Sequence, residues 1–216
     1  MDTVNPASRT VAKACLSVFA VVWIIAAIEP SHPRDWLLEN VLTALCVPYL
    51  LWVQRDPPFK PGTNLALLAF LCLHSVGAHF TYAEVPYERW SRQVFGVSPG
   101  EVFGWHRNHF DRLVHLLYGA LVLPAARELF GRSIKASAVA LELISVQFIV
   151  ATSALYELME WGAASVVDRE LGMAYLGIQG DIWDAHKDML LAAVGAVASA
   201  AVSGPLSALR WLGRDR

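Results

Sequence analysis

Charged side chains are scarce in this chain of 216 residues: Asp, Glu, Lys and Arg make up 17% of it, against about 25% in an ordinary soluble domain. The net charge is only −2, and the arginines are scattered with no basic stripe, which sets nucleic-acid binding aside. There are three cysteines, Cys15, Cys46 and Cys72. Each lies in an apolar run and reads as a small packing residue, so a disulfide-stapled secreted scaffold is excluded. No nucleophile signature stands out, no cysteine lies near the polar clusters described below, and neither an H-E-x-x-H pattern nor a glycine-rich phosphate loop occurs. What remains is apolar. Hydrophobic residues form 56% of the chain and the mean hydropathy is +0.43, which excludes a disordered polymer.

The apolar residues fall into six runs near the 20 or so residues that the hydrocarbon of a bilayer demands. They cover about residues 11–28, 36–53, 64–83, 110–126, 134–161 and 183–206. The expected fold is therefore all-α: one membrane domain over residues 1–216, a polytopic helical bundle. Arg9 and Lys13 ahead of the first run, with Ala26-Ala27 behind it, also suit a signal peptide; its loss would leave the orientation of the other five spans unchanged. With six spans both termini share a side. That side holds Arg9, Lys13, Arg55, Lys60, Arg127, Arg132, Lys135, Arg210, Arg214 and Arg216, the majority of the 17 basic residues. The positive-inside rule then makes the termini cytoplasmic.

Ionisable residues inside a membrane are costly and tend to mark sites, and here they gather at one end. The third span closes on His79, Tyr82 and Glu84. The fourth opens among Arg107, Asn108, Asp111 and Arg112, with His115 one turn inside. The fifth closes on Glu157, Glu160 and Trp161, and the sixth opens among Asp181, Asp184, Lys187 and Asp188. Asn108, Asp111 and His115 share a helix face at i, i+3 and i+7; so do Asp181, Asp184 and Asp188, while Glu157 and Glu160 are an i, i+3 pair. Four stripes at one depth imply a polar cup, open to the outside, in which acids outnumber bases. Such acids must be protonated, hydrated or balanced by a cation. Carboxylates with imidazoles suit a divalent transition metal such as zinc, iron or manganese. His79, Glu84, Asp111, His115, Glu160, Asp181 and Asp188 are the candidate ligands, and Glu157 and Asp184 the candidate general bases. Tyr82, Arg107, Arg112, Lys187 and Trp161 are the candidate substrate contacts. The plainer reading is a set of helix-end charges meeting headgroups.

Two connections, residues 84–109 and 162–182, carry aromatic and apolar residues in the manner of interfacial lids. Glu39, His74, Glu142 and Gln147 are isolated polar residues within spans; Glu142 reads as an interhelical hydrogen-bonding residue.

The strings HFTYAEVP (79–86), RNHFDRLVH (107–115), PAARE (124–128), YELMEW (156–161) and YLGIQGDIWDAHKDM (175–189) resemble those of the YjdF family, bacterial inner-membrane proteins with a domain of unknown function. That family more often has Thr and Gln where this chain has Ile178 and His186. A more distant likeness, in the order DRLVH, Glu157, Asp184 and Asp188, is to the VanZ-like proteins, linked to glycopeptide resistance and the cell envelope. The resemblance implies an inner-membrane location and assigns no reaction. From the residues, the expected function is a membrane-embedded, metal-dependent enzyme of hydrolase type acting on a lipid or lipid-linked envelope substrate. A proton- or cation-coupled transporter using Glu142 and a non-catalytic envelope scaffold are the alternatives; oligomeric state is not legible.

Overall fold

A computed structural model describes residues 6–167, 172, 176 and 179–212, with side chains through residue 203. The described residues are helical, with no strand among them. In chain order the helices are α1 (Pro6–Ala26), α2 (Pro33–Val53), α3 (Pro61–His79), α4 (Tyr87–Phe95), α5 (Pro99–Phe103), α6 (Phe110–Ser133), α7 (Ala138–Val166) and α8 (Asp184–Leu212). Six of these, all but α4 and α5, are long and apolar enough to cross a membrane.

Local sequence explains most of the boundaries. Pro33, Pro61 and Pro99 occupy first-turn positions of α2, α3 and α5, where a missing N–H costs nothing. Ser137 accepts a hydrogen bond from the Ala140 N–H and caps α7. Ser98 and Glu101 cap α5 reciprocally, and Gly96 and Gly104 end α4 and α5 with φ of +75° and +67°.

Three boundaries depart from expectation. The third span stops at His79 instead of running to 83, because Thr81 and Tyr82 take left-handed conformations (φ +54° and +45°). The fourth does not stop near Pro124 but continues to Ser133; in apolar surroundings a helix is held through a proline because its remaining backbone groups have no other partner. The fifth begins at Ala138 and continues to Val166, about 43 Å at 1.5 Å per residue, so it outreaches the hydrocarbon. The connection 84–109, expected as a loop, contains α4 and α5, pinned by Glu88, which accepts from the Gly100 N–H at 3.0 Å, and by an Arg92–Glu101 ion pair at 2.8 Å. Of the second connection, residues 168–171, 173–175 and 177–178 lie outside the described residues, and with them Leu171, Met173 and Tyr175.

The centre of the bundle is α6, packed against α3, α7 and α8, with α1 laid on α3. The α6–α8 seam is the tightest. A Cβ on Gly119 would run into the Ala192 carbonyl oxygen, and one on Gly195 into the Leu116 carbonyl oxygen; only glycine permits two backbones to approach so closely. Below the polar end this seam is sealed by Leu123, Ile149, Ala192 and Ala196, all fully buried. Helix α2 stands apart, packing its backbone on α3 and reaching α7 through a hydrogen bond from the Tyr156 hydroxyl to Glu39 (3.3 Å). Many large apolar side chains of the six long helices are exposed, Ile25, Leu45, Leu65 and Val197 among them, the surface that acyl chains cover. Of the cysteines only Cys15 is buried; Cys46 is exposed and Cys72 half-buried, so the packing role holds for one of the three.

Candidate functional site

The glycine seam sets the depth at which α6 and α8 meet, and thereby brings the acids of the two helices together. They form two adjoining groups of different character.

The first group is an ion-pair network at the helix mouths. The Arg107 guanidinium grips Asp184 with two hydrogen bonds, of 2.7 and 3.0 Å. Arg112 donates to Asp181 at 2.5 Å and to Asp184 at 3.1 Å, and Lys187 donates to Asp181 at 2.5 Å. Asp184 is 3% exposed, Arg107 and Arg112 13% and 16%, whereas Lys187 is 47% exposed. Asp184 accepts three hydrogen bonds from the two guanidiniums, the contacts of a counter-ion. Arg107 and Arg112 are likewise engaged by acids and are not poised as an anion clamp. Asp181, outside the spans, is held well below the usual carboxylate range by Lys187 first, then by the Trp183 N–H and Arg112. His109, at the mouth of α6, is held below the usual imidazole value by burial and then by Arg112 and Arg107; its backbone N–H donates to the Tyr87 hydroxyl at 2.9 Å. Asn108 and Gln179 exchange two hydrogen bonds, of 2.8 and 3.1 Å.

The second group lies one turn deeper and consists of the acids left over: Asp111, Glu157, Glu160 and Asp188. His115 sits among them, 8% exposed. Its Nε2 is 3.6 Å from Asp111 Oδ1 and 3.5 Å from Glu157 Oε1. Asp188 offers a carboxylate oxygen within 4.8 Å of the donor atoms of both Asp111 and His115. Asp188 is 2% exposed and Glu157 10%, yet Asp188 Oδ1 and Glu157 Oε1 have no hydrogen-bond donor. Buried carboxylate oxygens without a donor are expensive and call for a cation or protons. Donors sharing a tetrahedral ion at 2.0–2.1 Å stand about 3.4 Å apart; the separations around His115 Nε2 are 3.5 and 3.6 Å, the range of a His–carboxylate pair as well.

Two members of this group were not assigned to it from sequence. Glu39, 7% exposed on α2, joins through the Tyr156 hydroxyl, which donates to it at 3.3 Å. Glu39 read as an isolated polar residue although Asp35, Glu39 and Thr43 stand at i, i+4 and i+8 on one face of α2, all buried with Asn40 beside them. Tyr156 occurs in the string YELMEW, whose phase on α7, one residue before Glu157, was the available signal. Beside them is a buried chain from Thr43 to His74 Nε2 (2.9 Å) and from His74 Nδ1 to the Tyr82 hydroxyl. Tyr82 reaches it because the left-handed turn folds its ring onto Gly77, where a Cβ would stand 2.7 Å from the ring.

Other expected site residues are placed elsewhere. His79 Nδ1 meets the Ala26 carbonyl at 3.0 Å, and Glu84 pairs with His32 at 3.1 Å on the surface; neither approaches the acids, since α3 ends early. Trp161 is 65% exposed, on an outer face of α7. Contrary to the reading that no nucleophile signature stands out, the string Gly96-Val97-Ser98-Pro99-Gly100 spells G-x-S-x-G, but Ser98 caps α5 and its hydroxyl is taken by Glu101 and Arg92. It lacks the strand-to-helix elbow that exposes a nucleophile.

A six-span helical bundle with acids and a histidine collected at one end defines the class: a multi-pass integral membrane protein with a buried polar site. The chain belongs to the family described as predicted membrane protein (DUF2238), which it matches over residues 11–207. It is 30% identical over 178 residues to the inner membrane protein YjdF of Escherichia coli (strain K12), covering 82% of this chain and 81% of that protein. No solved structure matches it. The protein is thus an inner-membrane protein.

Proposed function

We propose that this protein is a membrane-embedded, metal-dependent hydrolase acting at the outer leaflet on a lipid or lipid-linked envelope substrate. The observation that carries the reading is the burial of Asp188 Oδ1 and Glu157 Oε1 without a hydrogen-bond donor, in a group where ligand atoms of Asp111, His115 and Asp188 lie within 4.8 Å of one another. Asp111, His115 and Asp188 would hold a divalent transition ion, which would supply Lewis acidity there. Glu157 would serve as the general base, and Tyr156 with Glu39 and Glu160 fixes the surrounding carboxylates. Arg107, Arg112 and Asp184 position the mouths of α6 and α8, and Lys187, the most exposed of the three cations, faces the substrate anion.

A transport path through Glu142 is less favoured. Glu142 pairs with Arg127 at 3.2 Å; Arg127 is 12 residues from His115 on α6, about 18 Å along the helix, and the fully buried layer of Leu123, Ile149, Ala192 and Ala196 lies between.

The test is elemental analysis of purified protein after chelation and reloading with zinc, manganese or iron. About one ion per chain is expected, lost in His115→Ala and Asp188→Asn, while Glu157→Gln keeps the ion and loses turnover. Absence of any bound transition metal in the reloaded wild type overturns the metal-dependent reading.

A further inference from the structure

At the end of the bundle away from the acid cluster, α1 and α2 stand apart. Both pack on α3, and near the acid end they meet each other: the Trp23 indole N–H donates to Asn40 at 2.6 Å, and the Trp23 and Trp36 rings lie 5.6 Å apart. At the opposite end an exposed Arg9–Asp56 ion pair of 3.4 Å spans the gap. Between the two helices lies a groove of about 280 Å³, with α3 as its floor. Its walls are apolar, Leu16, Phe19, Val47, Leu50 and Leu68 among them.

The mouth is basic. Arg9, Lys13 and Arg55 line it and are exposed, whereas no acid lines the groove. Asp56 balances Arg9; among the described residues neither Lys13 nor Arg55 has an ion-pair partner. One atom of the wall is left unsatisfied. Gln54, the residue that closes α2 beside Arg55, buries its Oε1 without a hydrogen-bond donor. The other amide of the wall, Asn64, is committed to the Phe59 and Lys60 carbonyls.

Charge and depth together select the occupant. This end is cytoplasmic by the positive-inside rule, and basic pockets between spans on that side hold anionic headgroups. On α1 the lining runs from Arg9 to Phe19, about 15 Å at 1.5 Å per residue. That is one leaflet of hydrocarbon, half the roughly 30 Å core, so an ordinary acyl chain fits below a head at the basic mouth. The donorless Gln54 oxygen asks that the head also carry a hydroxyl.

We propose that the α1–α2 groove binds one phosphatidylglycerol of the inner leaflet. Its phosphate lies between Lys13 and Arg55, a glycerol hydroxyl donates to Gln54 Oε1, and one acyl chain lies in the groove on α3. The site is separate from the acid cluster and does not depend on an ion there.

The experiment is native mass spectrometry of the delipidated full chain in a neutral detergent. It is titrated separately with the dioleoyl forms of phosphatidylglycerol, phosphatidylmethanol and phosphatidylethanolamine, and with glycerol 3-phosphate. The wild type should retain one phosphatidylglycerol, held roughly tenfold more tightly than phosphatidylethanolamine and more tightly than phosphatidylmethanol, which has the same charge and no hydroxyl. Lys13→Gln/Arg55→Gln should bring phosphatidylglycerol down to the phosphatidylethanolamine level. Gln54→Leu should erase the preference over phosphatidylmethanol and keep that over phosphatidylethanolamine. Ala12→Phe, which fills the groove from α1, is the second blocking variant, should the double variant not fold, and should weaken phosphatidylglycerol and phosphatidylmethanol alike. Thermal unfolding confirms that each variant is folded. Equal retention of phosphatidylglycerol and phosphatidylethanolamine, or phosphatidylglycerol affinity unchanged in the folded blocked variants, is the behaviour of bulk annular lipid and overturns the proposal. Glycerol 3-phosphate held as tightly as phosphatidylglycerol also overturns it, since the site would then take a free phosphate ester without a chain.

Discussion

Substituting Gly195 by Ala tests the physical claim that the site exists because α6 and α8 touch backbone to backbone. The new Cβ would overlap the Leu116 carbonyl oxygen and press on the Ala120 nitrogen at 3.0 Å. Both are main-chain atoms of a packed helix, so no side chain can swing aside. The helices must part by on the order of 1 Å before ordinary van der Waals contact returns, and overpacking of this kind costs about 3 kcal/mol. At about 2–4 °C per kcal/mol for a chain of this size, the unfolding midpoint should fall by about 6–12 °C. The same parting moves Asp188 on α8 away from Asp111 and His115 on α6, against a tolerance of about 0.2 Å for ligand distances. On the proposed metal reading, ion binding should therefore be lost even at temperatures where the variant is folded. Gly119→Ala, which meets the Ala192 carbonyl from the other side, should behave alike, and Gly62→Ala, with nothing within 4 Å, is the control. Thermal unfolding in detergent together with elemental analysis checks the prediction. A Gly195→Ala protein that melts like the wild type and retains its ion refutes the reasoning.

Arg107→Ala leaves Asp184 buried with half of its partners gone and should cost about 3–5 kcal/mol; the double variant Arg107→Met/Asp184→Leu should lose less, by denaturant titration. Because Asp181 is depressed by its cations, the stability it adds is present above the ordinary carboxylate pKa of about 3.9 and vanishes as pH falls through its lower folded value. Asp181→Asn should therefore be less stable than wild type at pH 7 and converge with it in acid, as a pH series of unfolding curves would show. Ile149→Ala opens the layer beneath the site and should cost about 2–5 kcal/mol, with no proton leak into liposomes; a leak would favour the transport alternative.

Hydrophobic run lengths made the six spans legible, because a bilayer forces backbone groups to pair within the segment and so ties length to topology. The helical phase also placed Asp111 with His115, and Asp184 with Asp188, correctly on common faces. Phase on a single helix does not say which neighbour that face meets. For that reason Asp184 read as a base when Arg107 occupies it, and Glu84 and His79 read as ligands when a left-handed turn at Thr81 and Tyr82 takes the chain away. Glu39 did carry a signal, the i, i+4, i+8 series Asp35, Glu39 and Thr43, hidden because the apolar run counted from residue 36 leaves Asp35 outside it.

Sequence by itself determined that the chain is a membrane helix bundle with a cluster of acids at one end, since transfer energy and helix periodicity are local properties of a segment. Only the tertiary structure decided which acids are neutralised and which are left donorless. That division depends on the reach of Arg107 and Arg112 across the α6–α8 seam, and the reach is set by two glycines 76 positions apart in the chain, Gly119 and Gly195.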